Sequence, residues 1–305
     1  MTKIDVFAHV LLPDFYRKML EIDGDLPKKM PFIKNPVLMN MAERRRTMPA
    51  DTKQIISYVN PNPEDYLEAE VAAQLVREAN AELLSTVREN SDIFAGGVAM
   101  LPMNNIPEAL AIIENFVQAN SEILGVQLFT RHLGKSLADQ EFRPIFEALA
   151  KFDLPVWLHP VFDSRKPDNN IIFSWEYEQT QAMLQLVQTG YFQDFSNLKI
   201  IVHHAGAMAP YFAGRIEHIL PAEQVADFKK FYVDTALLGN PKALELCLDY
   251  FGADQVLYGT DAPLGILPAG AGEVIARAIE ALPISPAEKT AIFSSNAKQL
   301  LKLHE

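Results

Sequence analysis

Residues 154–159 read LPVWLH, a short apolar run that follows a proline and ends on His159. A brief apolar run bounded by a turn signal reads as a buried strand. The histidine then sits where strand gives way to loop. Three more stretches have the same form: KIDVFAH ends on His9, LKIIVHH on His203 and His204, and DQVLYGTD on Asp261. One such run means little. Several, spread from one end of the chain to the other, predict a parallel barrel whose strand ends converge on one site.

Outward from these runs the chain alternates. Expected strands are Ile4–His9, Gln54–Val59, Phe94–Leu101, Gly125–Phe129, Val156–His159, Lys199–His204, Phe231–Asp234 and Gln255–Asp261. Amphipathic helices are expected at Glu64–Glu89, Pro107–Asn120, Phe142–Lys151, Trp175–Thr189, Pro241–Phe251, Gly272–Leu282 and Pro286–Leu303, from apolar spacings of three and four. The fold class is therefore α/β, a (β/α)₈ or TIM barrel, and residues 1–305 read as one domain. An open doubly wound sheet is the runner-up, but no glycine-rich phosphate turn follows the first strand. After that strand, Pro13–Asp51 carries Gly24 and Pro27, Pro31, Pro36 and Pro49. It reads as an inserted loop with short helices, either a surface insertion or a lid over the site.

Composition bounds the function. At 305 residues and 49% hydrophobic the chain has material for a large core. The net charge of −12 argues against nucleic acid, and Arg44-Arg45-Arg46 is too short a basic cluster to reverse that. Cys247 is the single cysteine, so no internal disulfide forms and a reducing compartment is expected. With no signal peptide or spanning stretch recognised, the expected location is cytoplasmic, without membrane association.

Residues two apart on a strand share a face. That aligns Asp5, Phe7 and His9, then Trp157 with His159, and Gly259 with Asp261. In the sixth strand Ile200, Val202 and His204 share one face, while Ile201 and His203 share the other. A one-residue shift exchanges the two histidines. Histidines with an aspartate suit one divalent ion, zinc first and manganese second, with a position left for water or substrate.

With these motifs in place, the chain resembles the amidohydrolase superfamily. More narrowly it resembles the amidohydrolase-2 group, which contains aminocarboxymuconate-semialdehyde and γ-resorcylate decarboxylases. IDVFAH, VWLHP, HHAGAMAP and YGTDAP carry the likeness, in order and spacing, over essentially the whole chain. The resemblance implies a metal-dependent hydrolase-type barrel with one divalent ion. It implies His9, His159 and Asp261 as ligands, His204 as the acid–base histidine, and Asp261 as ligand and proton carrier. The family's first strand carries two ligands two residues apart, and here Phe7 stands in the first position. Three readings follow: His9, His159 and Asp261 keep the metal, with water or His204 completing the shell; metal binding is weak; or catalysis is lost.

The function implied is a carboxy-lyase that removes carbon dioxide from a small unsaturated or aromatic acid. The alternatives are a metal-dependent hydrolase of an amide or lactone, and a non-catalytic family member. A carboxylate substrate needs an anchor, for which Arg131 and Arg44 are candidates, and Phe129 is placed to flank a planar ring. The partner is a small-molecule carboxylate; a homodimer stays open. Asp234 reads as a structural hydrogen-bond acceptor, and His218 and His304 receive no functional reading.

Overall fold

The computed structural model describes residues 1–303 apart from positions 164 and 167; His304 lies outside them. Seven strands form one parallel sheet in sequence order. They are β1 (Lys3–Val10), β2 (Thr52–Tyr58), β3 (Phe94–Ala99), β4 (Ile123–Phe129), β5 (Val156–His159), β6 (Ile200–Val202) and β7 (Tyr232–Val233). The eighth expected strand is present as an extended run, 255–262, bridging the two outer strands. Val256 pairs with Val233 of β7, and Ala262 with Ala8 of β1. The Leu257 amide donates to the Val233 carbonyl, while the Asp261 and His9 amides bond to Phe7 and Ala262 across the other seam. The curled sheet thus closes on itself. A small hairpin, Arg131–His132 against Lys135–Ser136, stands beside β4.

Helices cover the outside, and their ends follow sequence. Asn240 accepts from the Lys242 and Ala243 amides ahead of the helix Pro241–Phe251, and Pro241 needs no amide partner there. Ser285 and Glu288 close a capping box at the start of Pro286–Thr290. The expected helix 64–89 begins later, at Ala69, after a turn of 3₁₀ helix at Pro63–Asp65. After β6, where one helix containing His218 is expected without bounds, there are two, Ala213–Ile219 and Ala222–Phe228. The first buries none of its residues, so it carries no apolar stripe to read. Between β1 and β2 run the helices Pro13–Ile22, Leu26–Lys29 and Met41–Thr47. No helix of the described residues is long and apolar enough to cross a membrane.

Apolar side chains divide into two cores. A large outer one lies between sheet and helices. A smaller one, built on Phe7, Ile55, Val98, Trp157, Ile201 and Leu257, includes Leu300 and Leu301 from the last helix. Trp157 crosses the barrel to donate from its indole nitrogen to the Val6 carbonyl at 2.7 Å. Gly125 makes room for it: a β-carbon there would sit 2.8 Å from the Trp157 ring and 2.3 Å from the Pro155 carbonyl oxygen. Cys247 is buried on the inner side of its helix, and burial pushes its thiol pKa far up.

Candidate metal centre

His9, His159, His203 and Asp261 come together at the strand ends, with one potential ligand atom from each lying within 4.8 Å of the others. Each histidine has Nδ1 tied to the protein. His9 pairs in register with Ser57 of β2, and its Nδ1 meets the Ser57 hydroxyl at 3.2 Å. His159 Nδ1 faces the Pro160 carbonyl at 2.5 Å. His203 Nδ1 bonds to Asp234, whose other oxygen accepts from the Ala205 and Ala236 amides, both at 3.0 Å. These bonds turn the Nε2 atoms toward one point. Those of His9 and His203 are buried without a hydrogen-bond partner and lie 3.2 and 3.5 Å from Asp261 Oδ1. Second partners that fix ring orientation, with the other nitrogen left open, are the pattern of metal-binding histidines.

Electrostatics agrees. Burial lowers the pKa of His9, and lowers that of His159 well below the usual value, so both rings are neutral donors. Burial also opposes a charge on His203, but the Asp234 carboxylate overrides it and pushes the ring up to about 10. At Asp261 burial is likewise overcome, here by His203 and His9, and the carboxyl is held far below its ordinary range. The Asp261 backbone takes the left-handed conformation at φ 62°, a strained turn of the kind that functional sites retain.

In the structure His203, and not His204, is the sixth-strand histidine that faces the ligand cluster. Ile201 belongs to the inner core, whereas Ile200 and Val202 belong to the outer one. The two-residue period therefore turns His203 inward, where its ring stacks on Phe7 at 4.0 Å and 19°. His204 leaves the strand at φ 53°. Its Nδ1 bonds to Glu176 at 2.7 Å, and its ring lines the cavity instead of the ligand cluster.

Arg44 is corrected too. It does not reach the cavity but is fully buried, donating to Gln54 at 2.8 Å and to the His9 carbonyl at 2.7 Å. Gln54 passes the chain on to Asp5, which accepts the Thr260 hydroxyl at 2.6 Å and the Thr260 amide at 3.0 Å. This strut clamps the backbones that carry His9 and Asp261. Arg131 donates to the Gly134 carbonyl and faces Asp163 and Glu178 at 3.7 and 3.9 Å. It does not line the cavity either. Phe129 packs edge-on against His159 at 5.6 Å.

Above the cluster opens a cavity of about 540 Å³ with His159, His204 and Asp261 in its lining. Phe32 and Trp175 line it, and Phe162 packs on both, stacked on Phe32 at 5.8 Å and edge-on to Trp175 at 4.7 Å. Phe32 comes from the segment between β1 and β2. Sequence reasoning missed Ser57, Glu176 and Trp175, because a serine in a strand or a glutamate in a helix carries no signal without its partner.

The amidohydrolase family model matches residues 4–303, and the chain belongs to that family. It is 29% identical over 286 residues to the 6-methylsalicylic acid decarboxylase of Penicillium expansum, covering 86% of this chain and 85% of the relative. It is 28% identical to the 2-amino-3-carboxymuconate-6-semialdehyde decarboxylase of Dictyostelium discoideum, over 76% of this chain and 67% of that one. Among solved structures, a dihydroxybenzoic acid decarboxylase of Polaromonas sp., with manganese and 2-nitroresorcinol bound, superposes with a TM-score of 0.82 at 21% identity. That match covers 100% of this chain and 98% of the neighbour, and it shows the fold.

Proposed function

We propose that the chain is a metal-dependent decarboxylase of a small aromatic carboxylic acid. The observation that carries this reading is the convergence of three pinned histidines and Asp261 beneath an aromatic-walled cavity that His159 and Asp261 line. The orphaned Nε2 atom of His9 fits a divalent ion. His9, His159 and Asp261 hold it. Manganese is supported by the Polaromonas neighbour, and zinc suits the same donors. When bound, the ion would supply a Lewis acid for the substrate's carboxylate.

The chain's own groups handle the proton. His203, backed by Asp234, holds a proton at Nε2, 3.5 Å from Asp261 Oδ1, and Asp261, which lines the cavity, carries it to the ring carbon that bears the carboxyl. The bond to the carboxyl then breaks, carbon dioxide leaves, and the electron pair of that bond restores the aromatic ring. His203 regains its proton from water. This moves the acid–base role from His204 to its neighbour and leaves His204 on the cavity wall as a substrate contact. The segment 13–51 acts as an insertion that roofs the site through Phe32. In the other two roles read from sequence, Phe129 backs the ring of His159 and Arg131 stands behind the wall.

The test is carbon dioxide release from 2-hydroxy-6-methylbenzoate by protein stripped of metal and then reloaded with manganese or zinc. Ion-dependent release supports the reading. Ion-dependent opening of an aryl lactone, without carbon dioxide from any acid, replaces it with the hydrolase reading.

A further inference from the structure

The polar groups of the cavity are unusual for a site that takes an anion. Among its described lining residues, no lysine or arginine appears. Ile171, Ile172, Leu238 and Leu267 form the mouth, and all are exposed. The ionisable groups of the lining are His159, His204 and two acids, Asp261 below and Glu176 beside His204. The nearest arginines are engaged elsewhere. Arg165 pairs with Asp163 at 2.6 Å and with Asp65 at 3.1 Å, and lines a neighbouring cavity of about 330 Å³ that shares Asn60 with this one. Arg131 faces Asp163 and Glu178.

The donors without partners are neutral instead. Asn60 is 3% exposed and lines the cavity, and its amide nitrogen is buried without a partner. The Trp175 indole nitrogen, in the same wall, is buried and unpartnered as well. A buried donor left unpaired costs free energy that a ligand oxygen can recover. An uncharged oxygen does so without bringing a second negative charge toward Glu176, where like-charge proximity disfavours it.

We infer that the site selects an aromatic acid with a single carboxylate, an uncharged oxygen substituent held by Asn60 and Trp175, and an alkyl group against the Ile172–Leu238 mouth. A ring bearing a second carboxylate is rejected. This rests on the decarboxylase reading for the chemistry, but on the cavity wall alone for the selectivity.

The experiment uses the manganese-loaded protein and two matched acids: 2-hydroxy-6-methylbenzoate, and 2-hydroxybenzoate carrying a second carboxylate on the ring. Release of carbon dioxide gives kcat/KM for each. In parallel, Trp175 emission is titrated with the corresponding nitrophenols, in which a nitro group replaces the carboxylate that is lost, using Trp175→Phe to subtract Trp157. The methyl acid should exceed the diacid at least about tenfold in kcat/KM, with the nitrophenols in the same order. Ile172→Arg should shift the ratio at least about tenfold toward the diacid, and Asn60→Ala should weaken the methyl nitrophenol by a similar factor. Equal or better turnover and binding of the diacid by the parent protein overturns the inference while decarboxylation stands. Release from neither acid removes the decarboxylase reading, and the emission titration still decides the charge preference.

Discussion

Two adjacent histidines do different things because one backbone step separates an inward from an outward face. His203 bonds to Asp234 and meets Asp261, while His204 bonds to Glu176 on the cavity wall. His203→Ala should lower kcat by about a hundredfold or more, the cost of a lost acid–base group. His204→Ala should act mainly through KM. Steady-state kinetics of the two variants checks this, and the reverse order would return the proton to His204. Phe7 is the other decisive residue. Its ring lies 6.0 Å from both His9 and His159. Phe7→His places a nitrogen donor among the ligands and should tighten metal binding by at least about tenfold, at the cost of burying a polar ring. A competition titration against a chelator measures it. No gain would mean that the stack on His203, and not a missing ligand, is what position 7 provides. Much of this centre is legible in sequence, since His9, His159 and Asp261 each end an apolar run. The choice between His203 and His204 is not, because it depends on where a three-residue strand begins.

At the level of elements, the barrel depends on close approach between neighbours. The extended run 255–262 passes β7 so tightly that a β-carbon on Gly259 would lie 2.7 Å from the Asp234 β-carbon and 3.2 Å from its Oδ2. Gly259→Ala should therefore cost about 1–3 kcal/mol and displace the carboxylate that orients His203. The expected result is a fall in kcat measured well below the melting temperature, in protein that still binds metal. Unchanged kcat would show that Asp234 can move without moving His203. The glycine is visible in the sequence, but its reason is not, because Asp234 is far away in the chain. Long periodic helices such as Ala69–Glu89 were predictable to within a few residues. Of the two helices between β6 and β7, the first, around His218, was expected only without bounds, because it buries none of its residues. Arg44 misleads in another way: read as a substrate anchor, it is buried against Gln54 and the His9 carbonyl.

On the scale of the whole molecule, Asp5 ties both ends of the chain to β2 through Thr260 and Gln54. Burial raises its carboxyl from 3.8 to about 7, against the hydrogen bonds it accepts from Thr260 and Gln54. Between those values the folded protein keeps a proton that the unfolded chain has lost. Its contribution to stability is therefore full below pH 4, falls as pH rises toward 7, and is level above. Asp5→Asn lacks that proton. Between pH 5 and pH 8 the stability gap should move in the variant's favour by about 3 kcal/mol, from two pH units on the falling limb. Urea unfolding of both proteins at the two pH values tests it. A constant gap would show that Asp5 is ionised throughout, with Arg44 as its counter-charge.

The lone thiol of Cys247 turns the fold into its own clock. A sulfur that is buried and resistant to ionisation reacts with an alkylating reagent only when its helix opens. Labelling rates in the native protein then count openings of the segment 241–251 one molecule at a time, with no engineered probe. Where closing outpaces labelling, the rate rises in proportion to reagent; where it does not, the rate levels off at the opening rate itself. If filling the metal centre slows labelling by the same factor that it slows global unfolding, this outer helix and the barrel's mouth open as one unit. If labelling ignores the ion, the helix breathes independently, and the catalytic end can be held rigid while its periphery is not.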